Sequence, residues 1–202
     1  MDEPASGYER IADTYQRARN ATIGPDVVRE WSGRLPRRAR VLDVGCGHGV
    51  PITATLIGEG FDVHGVDGSP TLVAAFRRQF PGVPIECSDV ETCVSLDDQY
   101  DGVVAWGLLF LLPPAAQHRV LARLAAATAT GGHLLFTAPR QICTWEDALT
   151  GRLSWSLGAE AYAAILLSHD VELDGTTEDS GENHYYFGRR RPAPVRSGGG
   201  HR

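Results

Sequence analysis

Short apolar runs alternate along this sequence with longer segments whose apolar residues recur every three or four positions. The first pattern is typical of buried strands, and the second is typical of helices with one face against a core. The predicted strands are 40–44, 61–66, 83–87, 100–105 and 133–138, and the predicted helices are 51–59, 70–80, 114–128 and 159–167. Two further segments, 171–177 and 184–189, predict an antiparallel pair.

The alternation of strands and helices predicts an α/β fold with a doubly wound, mostly parallel sheet and right-handed crossovers. Together with the terminal pair, the sheet is predicted to have seven strands, of which the last is antiparallel. Helical patterns at 8–19 and 26–31 precede the first strand. We expect these helices to form an N-terminal helical lid, within 1–35, over the edge where such sheets bind ligands.

The chain of 202 residues is predicted to form one domain over residues 1–191. Residues 139–158 interrupt the alternation after the fifth strand and are interpreted as a cap or substrate loop. The segment 192–202 is rich in proline, glycine and arginine, and this composition predicts disorder.

Composition and charge exclude several classes of function. The net charge of −6 opposes broad, non-specific binding to nucleic acid. All 19 basic residues are arginine, which excludes a lysine nucleophile, a Schiff base and a phosphate-loop lysine. The four cysteines have no metal-like spacing, so we expect no metal site and reduced thiols in a cytoplasmic protein. The N-terminus does not resemble a signal peptide, and the apolar run 102–112 is too short to span a bilayer.

A glycine-rich loop joins the first predicted strand to the helix that follows it. Gly45, Gly47 and Gly49 come directly after this strand, and Asp43 lies near its end. Glycines in this place permit a tight turn and a close approach of the backbone to a ligand. The spacing departs from the GxGxxG pattern of dinucleotide-binding proteins, which disfavours a nicotinamide-dependent dehydrogenase.

Carboxylates follow the next two predicted strands. Asp67 comes after the second strand, and Asp89 follows the third. A carboxylate has two acceptor oxygens, so Asp67 can accept both hydroxyl groups of a ribose, whereas Asp89 can accept from the amino group of adenine. Because the strands are parallel, both carboxylates and Asp43 are expected at one edge of the sheet. A helix N-cap for Asp67 and a turn residue for Asp89 are the structural alternatives.

With these motifs, the sequence resembles the class I S-adenosylmethionine-dependent methyltransferases that act on small molecules. The resemblance covers about residues 8–189 and is carried by the 41–49 motif VLDVGCGHG, Asp67, Ser88-Asp89 and the segment 131–136. It implies a Rossmann-like fold, S-adenosylmethionine as cofactor and S-adenosylhomocysteine as product. The residues that it implies for cofactor binding are Asp43, Gly45, Cys46, Gly47, Gly49, Asp67, Gly68, Ser69, Ser88, Asp89, Val90 and Trp106.

The resemblance also implies an acceptor site above the fourth and fifth strands and under the N-terminal helices. Trp106 is expected beside the transferred methyl group, with its π cloud towards the positively charged sulfur. Methyl transfer is an in-line displacement that needs mainly alignment and desolvation; His184 and Tyr15 are the candidate catalytic residues. The candidate substrate residues are Tyr8, Phe110, Arg140, Trp145, Trp155 and Tyr185.

Purely structural roles remain open for the tryptophans as core anchors, for Arg140 in a surface salt bridge and for His184 as a packed strand residue. The leading hypothesis is methyl transfer to an oxygen, nitrogen or sulfur of a small organic acceptor. The alternatives are a catalytically inactive cofactor-binding protein or partner subunit, and a methyltransferase for RNA or protein. No nucleic-acid or membrane partner is expected, and the oligomeric state, monomer or homodimer, is left open.

Overall fold

A computed structural model of the chain describes residues 5–18 and 21–192. The helices are α1 (Ala5–Arg10), α2 (Ala12–Ala18), α3 (Pro25–Ser32), α4 (Ile52–Gly58), α5 (Pro70–Gln79), α6 (Pro114–Ala127) and α7 (Ala159–Leu167). The strands are β1 (Arg40–Val44), β2 (Asp62–Asp67), β3 (Ile85–Cys87), β4 (Tyr100–Ala105), β5 (Thr128–Thr137), β6 (Cys143–Glu146), β7 (Leu153–Ser156), β8 (Val171–Glu178) and β9 (His184–Arg190). Short 3₁₀ turns cover Val94–Asp97 and Leu109–Leu111. Nearly all of the predicted tail, 192–202, lies outside the described residues.

Seven strands form one sheet in the order β3-β2-β1-β4-β5-β9-β8. The pairs from β3 to β5 are parallel, whereas β9 is antiparallel to both of its neighbours. The predicted doubly wound sheet, mostly parallel with an antiparallel strand near its end, is therefore confirmed. The carboxyl ends of β1 to β5 lie along one edge, and this edge is where such sheets bind ligands.

The sheet is covered on both faces, which explains why its central strands are apolar runs. On one face, Leu42 and Phe136 pack with residues of α6 and α7. On the other face, Val41 and Leu135 pack with residues of α3 and α4. This two-sided core holds the strand ends in a rigid arrangement, from which the functional loops extend.

The start of α5 shows how local sequence positions the edge of the sheet. Ser69 caps the helix, because its hydroxyl oxygen accepts the Leu72 N–H at 3.2 Å. Pro70 follows at the first helical position, where a missing N–H costs nothing. The helix therefore begins immediately after Asp67 and Gly68, and its N-terminus faces the same edge as the end of β2.

The structure differs from the prediction at two places before and within the sheet. The predicted helix at 8–19 is two short helices, α1 and α2, and residues 19–20 lie outside the described part. The fifth strand was predicted at 133–138, but β5 begins earlier, at Thr128, and has an irregular register opposite β4. A Cβ at position 132 would come within 2.8 Å of the carbonyl oxygens of Ala129 and Asp101, so glycine there permits close backbone packing inside the strand.

The predicted cap, 139–158, contains the antiparallel hairpin β6–β7, which was not among the predicted strands. On the inner side of the hairpin, the Ser156 hydroxyl donates to the carbonyl oxygen of Pro139 at 2.7 Å. β7 also packs against the 3₁₀ turn Leu109–Leu111. The hairpin therefore lies beside the segment that follows β4.

Candidate active site

An open cleft lies at the carboxyl ends of β1, β2, β3 and β4, with about 720 Å³ of space that includes open solvent. We call it the cleft. Its β3 end is formed by Ser88, Asp89 and Val90, and its β4 end is formed by Trp106, Leu108, Leu111 and Leu112. It is lined by Tyr8, Gly45, Gly47, Val66, Asp67, Gly68, Ser69, Leu72, Ser88, Asp89, Val90, Trp106, Gly107, Leu108, Leu111 and Leu112.

The glycine-rich loop forms the middle of the cleft floor. The N–H groups of Gly45 and Cys46 both donate to the carbonyl oxygen of Val66, at 2.8 and 3.1 Å, and thus bind the loop to β2. Gly45 and Gly47 have φ values of 73° and 58°, which side-chain-bearing residues rarely adopt. A Cβ on Gly45 would meet Leu108 at 3.2 Å. The loop therefore presents open backbone to a ligand across the cleft.

Asp67 is the carboxylate nearest to this loop. Its Oδ2 accepts the Gly47 N–H and its Oδ1 accepts the Ser69 N–H, both at 2.8 Å. Burial raises the pKa of the Asp67 carboxyl above its ordinary value, although these two hydrogen bonds lower it, and the charge of Glu9 raises it further. Each oxygen keeps a second lone pair. The carboxylate can therefore accept two more donors, which is what a pair of ribose hydroxyl groups supplies.

Asp89 lies at the β3 end of the cleft, after the shortest strand of the large sheet. Its Oδ1 accepts the Glu91 N–H at 2.7 Å, and its carbonyl oxygen accepts the Cys93 N–H at 2.8 Å. These bonds close a tight turn that presents Ser88, Asp89 and Val90 to the cleft. The turn role and the ligand role of Asp89 are compatible, because each carboxylate oxygen has two lone pairs.

The β4 end of the cleft is apolar. Trp106, Leu108, Leu111 and Leu112 follow β4 and form its wall. The segment is held to the next strand, because the Gly107 N–H donates to the Thr137 hydroxyl at 2.8 Å. Side chains of this kind exclude water from a bound reactant.

The N-terminal helix α1 closes the cleft next to Asp67. Tyr8 lines the cleft, and the neighbouring Glu9 binds the N-terminus of α5. The Glu9 carboxylate accepts the hydroxyl groups of Ser69 and Thr71, the latter at 2.7 Å, and the Thr71 N–H at 3.2 Å. The hydrogen bonds from Ser69 and Thr71 lower the pKa of the Glu9 carboxyl. A carboxylate at a helix N-terminus is also favoured by the helix dipole, so Glu9 anchors the lid.

The hairpin β6–β7 supports the β4 end from behind. The rings of Phe110 and Trp145 lie 5.6 Å apart. Gln117 of α6 is fully buried, and its side-chain amide donates to the carbonyl oxygens of Leu112 and Trp155, at 2.9 Å each. One side chain therefore connects the cleft wall to the cap.

Most of the residues predicted to bind the cofactor are brought together by the structure. They come from four different strand ends and from the start of α5, as the parallel sheet requires. The predicted residues that line the cleft are Gly45, Gly47, Asp67, Gly68, Ser69, Ser88, Asp89, Val90 and Trp106.

Three other predicted cofactor residues lie below the cleft instead of lining it. Asp43 is buried, and its Oδ2 accepts the Thr53 hydroxyl at 2.6 Å. Cys46 is half-buried in the loop, and burial raises the pKa of its thiol well above the ordinary value, as does the charge of Asp43. A Cβ on Gly49 would come within 2.4 Å of the Phe80 ring, so this glycine permits helix packing. These residues shape the loop from beneath.

Among the predicted substrate residues, Tyr8 lines the cleft. Phe110, Trp145 and Trp155 belong to the wall and cap behind the β4 end, and Arg140 is exposed before the hairpin. Tyr185 is fully buried in the core cluster that also contains Trp106. Tyr185 therefore lies beneath the cleft and supports its wall, whereas the sequence predicted that it contacts the substrate.

Of the two predicted catalytic residues, His184 has a described side chain, and it does not line the cleft. His184 at the start of β9 is 9% exposed, and its Nδ1 lies 3.2 Å from a carboxylate oxygen of Glu178. Its ring also packs on Tyr186, with centroids 4.8 Å apart. Tyr15 belongs to α2, and its side chain lies outside the described part. Both assignments remain predictions.

Several lining residues were not predicted from the sequence. Val66, Leu72 and Gly107 lie next to predicted ones, whereas Leu108, Leu111 and Leu112 form the apolar wall. The signal for the wall was present, because these leucines continue the apolar run of β4 beyond the end of the strand. The lid anchor Glu9 had no such signal, since its partners are about 60 residues away.

Comparisons with known proteins agree with this geometry. A family profile described as a methyltransferase domain matches residues 15–169, about three-quarters of the chain. The chain belongs to this methyltransferase family. The predicted class of methyltransferases is thereby confirmed at the level of the family.

Two curated relatives carry the name trans-aconitate 2-methyltransferase. The protein from Variovorax paradoxus (strain S110) is 34% identical over 130 residues, which are 63% of this chain and 47% of that protein. The protein from Methylobacterium nodulans is 37% identical over 142 residues, which are 68% of this chain and 50% of that protein. The chain thus spans about half the length of these relatives.

Among solved structures, the chain is similar to the N-methyltransferase NodS from Bradyrhizobium japonicum WM9 in complex with S-adenosyl-L-homocysteine. The TM-score is 0.73 at 18% identity, covering 95% of this chain and 100% of that chain. At this identity the likeness supports the fold. Within the described residues, no helix is long and apolar enough to cross a membrane, and no cluster of histidine, cysteine or acidic side chains is arranged to hold a metal ion.

Proposed function

We propose that this protein transfers the methyl group of S-adenosylmethionine to a small organic acceptor. The observation that carries the proposal is the composition of the cleft, which has two carboxylates towards its β3 end, a glycine loop in its middle and an apolar wall at its β4 end. When bound, the cofactor supplies a methyl group on a positively charged sulfur. The carboxylates beside the open loop suit such a cation, because negative charge attracts a positively charged ligand.

The proposed binding mode follows the order of the strands. Asp89 and Val90 at the β3 end flank the adenine, and Asp67 accepts from the ribose hydroxyl groups. The open backbone of Gly45 and Gly47 contacts the amino-acid part. This order leaves the β4 end, beside Trp106, for the acceptor. The fit is supported by the spare lone pairs of Asp67 and by the glycine cradle, which a side chain would fill.

The chain's own contribution to the reaction is alignment and desolvation. The leucine wall after β4 excludes water from the acceptor, and Trp106 offers an aromatic face to positive charge. Holding the acceptor atom in line with the transferred methyl group converts a bimolecular encounter into an oriented one. His184 and Tyr15 remain the proposed proton acceptors for an acceptor that must lose a proton.

Trans-aconitate is the first acceptor to test, because the two curated relatives are named for it. A carboxylate-bearing acceptor needs a cation, and we propose exposed Arg140, just before the cap hairpin, as its partner. The apolar β4 end would then contact the uncharged part of the acceptor. Neutral phenols, amines and thiols form the comparison panel.

The experiment has two stages. Calorimetry with S-adenosylmethionine and S-adenosylhomocysteine tests binding, and transfer of a labelled methyl group to the acceptor panel tests turnover. We expect both to be lost in Gly47→Val, whose φ of 58° excludes a branched side chain, and both to be kept in Gly82→Val, where a Cβ meets no other atom. Failure of the unmodified protein to bind either cofactor form contradicts the proposal. Binding without transfer to any acceptor favours the inactive cofactor-binding alternative.

A further inference from the structure

A chain of buried hydrogen bonds runs from the β4 end of the cleft to the turn between β8 and β9. The indole Nε1 of Trp106 donates to the hydroxyl of Tyr185 at 2.7 Å. The same hydroxyl donates to Oδ2 of Asp179 at 2.6 Å. Trp106 is 7% exposed and Tyr185 is fully buried, so these bonds are shielded from water.

Strand alternation places Tyr185 under Trp106. Tyr185 lies opposite Thr137 of β5, and its neighbour Tyr186 packs on the other face of the sheet. The Thr137 hydroxyl accepts the Gly107 N–H, so residues 106 and 107 are both tied to the β5–β9 pair. The wall segment therefore takes its position from strands that are distant in the sequence.

Asp179 completes the chain and organises the turn that carries it. Its Oδ1 accepts the N–H groups of Gly181 and Asn183, at 2.9 and 3.0 Å. Burial alone would raise the pKa of the Asp179 carboxyl, but the hydrogen bonds from Tyr185 and Asn183 lower it overall. Asp179 is therefore an ionised acceptor for the Tyr185 hydroxyl at neutral pH.

The N-terminal region closes the other side of this arrangement. A Cβ on Gly24, which caps α3, would approach both Trp106 and the Tyr185 hydroxyl at 3.3 Å. A Cβ on Gly181 would come within 2.9 Å of Ile23. The indole of Trp106 is thus enclosed by Gly24 on one side and by Tyr185 and the β8–β9 turn below.

We propose that Tyr185 and Asp179 are positioning residues that hold the Trp106 indole in the cleft wall, so that the β8–β9 turn sets the shape of the acceptor end. This inference rests on the proposed function for its catalytic meaning. The hydrogen-bond chain itself is testable without any ligand. Trp106, the side chain proposed to meet the acceptor, is then held in position by residues that do not contact the acceptor themselves.

The test uses Tyr185→Phe, with Tyr186→Phe as the matched control. Tyr186 is the adjacent buried tyrosine on the opposite face, stacked on Phe136 with centroids 4.6 Å apart. The indole N–H signals are followed by nuclear magnetic resonance, with Trp106→Phe to assign the Trp106 signal. Trp31 supplies an internal reference, because its indole nitrogen is buried without a hydrogen-bond partner among the described residues.

We expect the Trp106 indole proton to resonate downfield of the Trp31 proton and to move towards it in Tyr185→Phe. Its exchange with solvent deuterium should accelerate about tenfold relative to Trp31, as loss of a buried hydrogen bond implies. Tyr186→Phe should change neither quantity. An unchanged Trp106 signal, or an acceleration shared equally by Trp31, would overturn the proposal, because the second result reports only global destabilisation.

Titration with S-adenosylhomocysteine separates this inference from the proposed function. In Tyr185→Phe we expect its dissociation constant to stay within about twofold, because the carboxylates lie towards the other end of the cleft. Binding of S-adenosylhomocysteine should move the Trp106 indole signal by a different amount in Tyr185→Phe than in the unmodified protein. A large loss of affinity would contradict the acceptor-end assignment of Trp106. If the unmodified protein does not bind S-adenosylhomocysteine, the proposed function is contradicted. The hydrogen-bond chain is then tested by the indole signals of the ligand-free protein alone.

Discussion

The ribose role proposed for Asp67 predicts a large effect of the isosteric change Asp67→Asn. Each carboxylate oxygen already accepts one backbone N–H at 2.8 Å, from Gly47 and from Ser69. An amide has one oxygen, so its NH₂ group must face one of these two donors. The variant therefore loses one backbone acceptor and one acceptor for a ribose hydroxyl.

The magnitude follows from the hydrogen bonds that are lost. A hydrogen bond to a charged group contributes about 1.5–3 kcal/mol. We take about 2–3 kcal/mol, because the mismatch also disturbs the glycine loop, and this corresponds to about 30- to 150-fold weaker binding of S-adenosylhomocysteine. Calorimetry measures the dissociation constant, with circular dichroism to establish the fold. The matched control is Asp62→Asn, an exposed carboxylate at the opposite end of β2.

A second ligand turns this measurement into a thermodynamic cycle. The 2′-deoxyribose analogue of S-adenosylhomocysteine should bind the unmodified protein more weakly, and it should lose little further affinity in Asp67→Asn, because the two changes remove the same contact. Additive losses, or a loss below about threefold in the variant, would show that Asp67 does not hold the ribose.

Two further predictions concern the same end of the cleft. Glu9→Gln should accelerate dissociation of S-adenosylhomocysteine about fivefold in stopped-flow tryptophan fluorescence, because a neutral amide anchors the lid about 1 kcal/mol less well at this half-exposed place. Asp13→Asn, at an exposed carboxylate of α2, should leave the rate unchanged, and equal rates in both variants would contradict the anchor. The affinity for S-adenosylhomocysteine should fall as the pH is lowered through the raised pKa of Asp67, because ribose hydroxyl groups favour the ionised carboxylate. Calorimetry across pH checks this, and Asp67→Asn should abolish the dependence.

The raised pKa of Asp67 also has a consequence for the stability of the ligand-free protein. Because the folded-state pKa lies above the ordinary value of 3.8, the protonated carboxyl is the form that folding favours. The contribution of this protonated carboxyl to the free energy of unfolding is complete below the ordinary pKa. It is lost as the pH rises through the raised pKa of the folded protein. At neutral pH the ionised carboxylate therefore costs folding free energy, and hydroxyl donors from a ligand offset this cost.

The sequence predicted the β3 end of the cleft well because that end is built from local signals. The bounds of β1 and β4 match the predicted strands, and in a parallel sheet each strand end delivers the next few residues to one edge. Gly45, Asp67 and Asp89 therefore come together from position alone. Asp43 and Gly49 belong to the same motif but serve the loop from beneath, and strand order does not distinguish the two roles.

The β4 end was less predictable because its contacts join distant parts of the chain. Trp106 and Tyr185 are 79 residues apart, and their hydrogen bond depends on the face that β9 presents. Gln117 reaches Trp155 across 38 residues to attach the hairpin to the wall. Such contacts depend on register, and a shift of one residue in β9 would exchange Tyr185 with its neighbour on the opposite face.

In the proposed binding mode, the distribution of charge in the cleft favours the reactant form of the cofactor over the product form. S-adenosylmethionine carries a net positive charge, whereas S-adenosylhomocysteine has lost the charge on sulfur together with the methyl group. Asp67 and Asp89 line the cleft, and Glu9 adds a third carboxylate whose charge raises the pKa of Asp67. Repulsion among these groups is reduced by a cationic ligand more than by a neutral one. In the proposed function, methyl transfer therefore removes part of the attraction that would hold the cofactor, and this loss would favour release of the product from under the Glu9-anchored lid.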